Sequence, residues 1–194
     1  MTFAQFLSLS LGVILVENFI FVKFLGICPF LGVSKKIDTA AGMGVAVIFV
    51  IGVSSAATYA VDHFLLRHLG LDYMRTVAFI LVIAALVQFV EMFLQKALPA
   101  LYTALGIYLP LITTNCAVQG VTIIISDNSM DFLSSVIYGV SAAASFALAI
   151  ILFASVRIRL ENADYPKAFE GFPIAMITAA LLAMSFMGFS GMKL

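Results

Sequence analysis

Two side chains in this sequence are able to bind a metal as thiolates: Cys28 and Cys116, its only cysteines. Both open the same short pattern, Cys-x-x-x-Gly-Val. It reads Cys28-Pro29-Phe30-Leu31-Gly32-Val33 in one place and Cys116-Ala117-Val118-Gln119-Gly120-Val121 in the other, 88 residues further on. A thiolate pair suits zinc or an iron–sulfur cluster, but either one needs four ligands. The two histidines, His63 and His68, fall together in a polar stretch away from both cysteines. A cluster site here would therefore be half a site, for which a partner or a second copy must supply two more cysteines. Two plainer readings stand beside it. Buried thiols often act only as small hydrophobes, and the pair is able to close a disulfide, although a cytoplasm-facing setting disfavours that bond. Glu17, Glu91 and Arg75 fall in or near apolar stretches. Carboxylates at membrane depth are costly and often functional, so Glu17 and Glu91 are candidates for an ion path. The plainer reading puts Glu91 near a span end close to Lys96, and Arg75 reads as an interfacial anchor.

What must position these groups is a set of membrane helices. Of 194 residues, 63% are apolar and 10% are Asp, Glu, Lys or Arg. An ordinary soluble domain carries about 25% charged residues. Mean hydropathy is +1.17. So much apolar surface excludes a cytosolic enzyme, a secreted domain and a disordered chain. Zero formal net charge leaves no basic face for nucleic acid. A span needs about 20 apolar residues, and stretches near 3–22, 39–61, 73–94, 99–125, 132–156 and 172–191 meet that test. Runs such as Val77 through Val87 are apolar all round, which fits helices rather than the alternating strands of a barrel. The start, Met1-Thr2-Phe3-Ala4-Gln5, lacks a basic leader and reads as a retained first span. The nine methionines and the Phe-rich faces read as packing.

The cysteine pattern divides the chain into two three-span repeats, 1–97 and 98–194. Three spans is an odd number, so the second repeat crosses in the opposite sense, as in many transport folds. The first apolar run, Phe3 to Val33, is too long for one span: as a helix it would measure roughly 46 Å. Glu17-Asn18, Lys23 and Gly26-x-Cys28-Pro29 interrupt it. Gly106, Pro110 and Thr113-Thr114-Asn115 interrupt the fourth. The expectation is an all-α membrane protein of six helices, an inverted 3+3 repeat with helices one and four broken so that both cysteines reach one depth. With six spans, Arg67, Arg75 and Lys193 share one side, against Lys23, Lys35, Lys36, Lys96, Arg157, Arg159 and Lys167 on the other. The basic excess faces the cytoplasm, which puts both termini outside.

Asn18-Phe19, the run Lys23 through Lys36, the run Leu105 through Val118 and the C-terminal Phe186-Met187-Gly188-Phe189-Ser190-Gly191 resemble the Rnf/Nqr family of bacterial and archaeal cell-membrane proteins over the whole chain. The Cys28-Pro29-Phe30 triplet is closer to the A-type component of Rnf complexes than to the related E-type component of the sodium-pumping NADH:quinone reductase. The resemblance implies one component of a multi-subunit translocase that passes electrons between ferredoxin and NAD and moves Na⁺ or H⁺. It implies a homologous E-type Rnf component of opposite topology as partner, with the B, C, D and G components around the pair. It also implies a [2Fe-2S] cluster held by two cysteines from each of the pair, so Cys28 and Cys116 would be this chain's ligands. Nothing in the sequence resembles a nucleotide or flavin motif. In such a site, Gly26, Gly32 and Gly120 would let backbone approach the cluster. Thr113, Thr114 and Asn115 would offer hydroxyl and amide groups, although Thr hydroxyls often bond only their own helix. The inverted repeat alone also admits a stand-alone secondary transporter, and inert thiols would leave a purely structural membrane protein.

Overall fold

A computed structural model describes residues 8–34, 36–66, 72–97, 112, 114–161, 163, 166 and 169–189. Among these residues every regular element is helical. The helices are α1 (Ile27–Val33), α2 (Ile37–Val61), α3 (Arg75–Ala97), α4 (Cys116–Asp127), α5 (Phe132–Glu161) and α6 (Phe172–Met187). A π-helical turn, Gly12–Val16, precedes α1, and another, Asp62–Leu66, extends α2. Three stretches are long and apolar enough to cross a membrane: Ile37–Phe64, Arg75–Met92 and Phe132–Leu160. The helices at Cys116–Asp127 and Phe172–Met187 are apolar but shorter.

The centre of the molecule is α2 against α5. A Cβ at Gly44 would sit 2.9 Å from that of Ala147, one at Gly52 would sit 3.6 Å from Val140, and one at Gly139 would strike Ser55. Residue numbers rise along one helix as they fall along the other, so the two run antiparallel. Small residues at these crossings let the backbones close up, which is how helices associate where lipid removes the hydrophobic drive. In α3 the buried positions Phe79, Ile83 and Val87 recur every fourth residue. They form one inward stripe, while Val77, Ile80, Leu81 and Phe89 remain exposed.

The first apolar run is not one helix. Helical structure stops at Val16, and the backbone is irregular from 17 to 26. Such a break frees backbone groups that lipid cannot satisfy. Two buried polar residues take them up. Asn18 Oδ1 accepts from the N–H groups of Ile20 (3.1 Å) and Phe21 (3.2 Å). Its Nδ2 donates to the carbonyls of Ile14 (3.4 Å) and Ser145 (3.5 Å). Ser145, midway along α5, accepts from Phe19 N–H and donates to Ile14 O, both at 3.4 Å. The chain then turns into α1 through Phe24, whose φ is +56°, and Gly26, whose φ is +85°.

Three expected boundaries move. The first span, expected to reach 22, stops as a helix at Val16. The fifth span, expected to end near 156, runs on, because α5 continues to Glu161. Arg157 is satisfied inside the fold: its Nη1 donates to Leu31 O (3.1 Å) and to Ser34 Oγ (3.0 Å). The last span, expected to reach 191, ends as a helix at Met187. Residues 99–111 of the fourth expected span lie outside the described residues, as do the two ends of the chain.

Candidate functional site

Both cysteines begin helices. Cys28 lies in the first turn of α1, after the left-handed Gly26, and Cys116 is the first residue of α4. The two starts are packed on one another. Gly26 N–H donates to Cys116 Sγ at 3.0 Å. A Cβ at Gly26 would sit 2.8 Å from a ring carbon of Phe146 and 3.1 Å from the Cβ of Ala117. One at Gly120 would sit 2.6 Å from Leu25 Cδ1. Each cysteine segment thus presses a glycine against the other; at Gly26, with its positive φ and the Phe146 ring against it, only a residue without a side chain fits, whereas at Gly120 the Leu25 side chain would have to move. Phe146 and Ser145 lie halfway along α5, so the meeting point falls in the middle of the longest apolar helix.

Cys28 and Cys116 are both free thiols, and both are exposed. No three of His, Cys, Asp and Glu converge on a metal-sized site among the described residues. The sulfur donors open outward, two in number. Asn115 caps α4: its Oδ1 accepts from Ala117 N–H at 3.0 Å. Its Nδ2 is buried beside Cys116 with no hydrogen-bond partner, although a buried amide donor without an acceptor costs about 1–3 kcal/mol. An orphaned donor, a backbone N–H already on sulfur and two outward thiols form a donor set that fits an anionic iron–sulfur cluster closed from outside the chain.

The remaining sequence candidates are distributed around this centre. Thr114 lies in the turn before Asn115, and Thr113 is outside the described residues. Among the described residues nothing lies within 4 Å of where a Cβ at Gly32 would stand. Glu17 ends the π-helical turn and forms a 3.0 Å ion pair with Lys23 at the break. Glu91 is half-buried on α3, one turn beyond Val87 on the inward stripe. Sequence reasoning missed Ser145 and the inward role of Arg157. Neither carries a local signal, because each acts on a backbone 126 residues away. Arg75, read as an interfacial anchor, bridges Asp62 (3.4 Å) and Asp127 (3.3 Å).

Fold and site define an all-helical membrane protein with two cysteine-bearing helix starts joined at mid-helix. The family model described as "Rnf-Nqr subunit, membrane protein" matches residues 6–193, and this chain belongs to that family. It is 58% identical to the A component of the Na(+)-translocating ferredoxin:NAD(+) oxidoreductase complex of Acetobacterium woodii, covering 96% of this chain and 97% of that one. It is 53% identical to the A component of the ion-translocating oxidoreductase complex of Vibrio cholerae, over 98% and 90%. The protein of the same name in Yersinia enterocolitica is 54% identical over 97% of each chain. These relatives are parts of multi-subunit, ion-moving oxidoreductases.

Proposed function

We propose that this chain is the A-type membrane component of an Rnf complex, an ion-translocating ferredoxin:NAD oxidoreductase, and that Cys28 and Cys116 hold half of an intramembrane [2Fe-2S] cluster. The observation that carries this reading is the 3.0 Å hydrogen bond from Gly26 N–H to Cys116 Sγ, which brings the two cysteine turns together. When bound, the cluster supplies one-electron transfer across the middle of the membrane. The other two ligands come from a homologous E-type component of opposite topology, with the B, C, D and G components completing the complex. The names of the relatives favour this assignment over the E-type component of the quinone reductase.

The chain's own residues do three things at the site. Gly26 N–H holds the Cys116 sulfur and, with Asn115 Nδ2, would offset negative charge on sulfur in the low-dielectric membrane interior. Asn18 and Ser145 hold the break open so that Cys28 stands at the depth of Cys116. The tight contacts of Gly26 and Gly120 fix the distance between the two turns. The six-span inverted repeat 1–97 and 98–194 explains why two equivalent turns approach from opposite directions. The Lys36 and Arg157 end of the molecule faces the cytoplasm, with both termini outside, in a bacterial or archaeal cell membrane. Glu17 and Glu91 lie on the path of the ion, which by likeness to the Acetobacterium woodii protein is Na⁺.

The test is Cys28→Ser and Cys116→Ser in the purified complex. Each should remove the cluster's EPR signal and nearly all ferredoxin:NAD turnover, with the chain still inserted. A full cluster signal in either variant would refute the assignment.

A further inference from the structure

The far end of α4 carries a second polar site. Between α2 and α4, about 140 Å³ of cavity is lined by Thr58, Asp62, His63, Thr122, Ser126 and Asp131, among apolar neighbours. That is room for several water molecules. Asp62, Thr58, Thr122 and Ser126 are all buried. Thr58 Oγ1 donates to Ser54 O (2.7 Å) and Thr122 Oγ1 to Gln119 O (2.9 Å), which leaves both hydroxyl oxygens with capacity to accept. Ser126 Oγ is buried without a hydrogen-bond partner. A carboxylate, three hydroxyls and a second carboxylate at the rim form an oxygen-rich set, the kind that suits a hard cation. Among the described residues no three His, Cys, Asp or Glu side chains converge here, which argues against a transition metal.

The charge balance points the same way. Asp62, Asp127 and Asp131 gather at this end of the bundle, where Arg75 reaches Asp62 at 3.4 Å and Asp127 at 3.3 Å. Asp127 is largely exposed, whereas Asp62 is almost fully enclosed. A cation entering the cavity is able to take over Asp62 while Arg75 keeps Asp127, so no charge is left buried and alone.

We infer that this cavity binds a hydrated or partly hydrated monovalent cation, Na⁺, on Asp62, Thr58, Thr122 and Ser126, with Arg75 as the displaceable counter-charge. The site stands at the opposite end of the bundle from Arg157 and Ser34, because α2, 25 residues long, separates its ends by about 37 Å. Ser126 lies ten residues from Cys116 on one helix, about 15 Å along its axis. The inference rests on the ion-moving part of the proposed function and does not need the cluster.

The test is equilibrium binding of ²²Na⁺ to the resting detergent-purified complex at constant ionic strength in choline chloride. Ser126→Val fills the cavity and removes an oxygen, and should weaken one class of Na⁺ site about tenfold. Ser126→Ala removes the oxygen alone and should weaken it about threefold. Asp62→Asn should abolish it. Assembly is read from co-elution of all components of the complex on size-exclusion chromatography. Wild-type binding isotherms in assembled Ser126→Val and Asp62→Asn would overturn the site, and so would a wild-type complex that binds no Na⁺. Loss of the cluster in Cys116→Ser with ²²Na⁺ binding intact leaves this site standing. A cluster-free wild-type complex would refute the proposed function alone.

Discussion

At Gly26 a single missing methyl group decides whether the two cysteine turns can meet. Its φ of +85° is open to glycine and strained for any other residue, and a Cβ there would press into Phe146 and Ala117. Gly26→Ala therefore combines a backbone cost of about 1–2 kcal/mol with overpacking of about 1–3 kcal/mol. The expected result is a chain that inserts but holds only a small part of the wild-type iron, measured by colorimetric iron assay on the purified complex. Gly32→Ala is the control: among the described residues it has open space and should retain iron. Asn115→Ala removes the α4 cap, worth about 1 kcal/mol, and with it the orphaned donor beside Cys116. Losing a donor near sulfur lowers a cluster's potential, so redox titration should give a more negative midpoint for Asn115→Ala than for wild type. An unshifted midpoint would take Asn115 out of the cluster's surroundings.

Helix by helix, what the sequence announces and what it conceals follow from the range of the forces. Apolar runs are local, so α2, α3 and most of α5 are legible from composition alone. The break at 17–26 is legible too, because Glu17, Asn18, Lys23, Gly26 and Pro29 each disfavour a lipid-facing helix. The partners that make the break tolerable are not legible. Ser145 stands in an ordinary Ser-Ala-Ala-Ala-Ser stretch, and only the fold brings it to Ile14 and Phe19. Arg157 misleads for the same reason: as a charge it reads as loop, but as a donor to Leu31 O and Ser34 Oγ it ends α1 and lets α5 run on. A cation at a helix C-terminus is favourable by about 0.3–1 kcal/mol, and the two hydrogen bonds add to that. Arg157→Met should loosen α1. Its measure is the rate at which a maleimide modifies Cys28 in the cluster-free protein, expected to rise several-fold. An equal rate would show that α1 is held by its apolar contacts, such as the stacking of Phe30 on Phe153, 4.2 Å between centroids.

At the scale of the whole molecule the two ends of the bundle differ in their basic residues. Lys36, Arg157 and Arg159 lie where α2 begins and α5 finishes, beside Asp38 and Glu161, while Asp62, Asp127 and Asp131 gather around Arg75 at the opposite end. A single cysteine placed at Asp38 should label from the cytoplasm, and one placed at Asn128 from outside. The reverse pattern would invert the proposed orientation. Between those ends, Glu17 stands at the break and Glu91 on the inward stripe of α3. Glu17→Gln and Glu91→Gln should each lower Na⁺ uptake into proteoliposomes several-fold while the cluster's EPR signal persists. Unchanged uptake in both would remove them from the ion path. The exposed faces of α3 and the outward thiols are the surfaces left for lipid and for the partner.

The most direct test of a shared cluster is a chemical count on this chain co-purified with its homologous partner alone, free of the other components. The heterodimer should carry about two irons and two acid-labile sulfides, falling to background when Cys28 or Cys116 is replaced by serine. An intact heterodimer without iron and sulfide, or one whose iron survives both replacements, would contradict the shared centre.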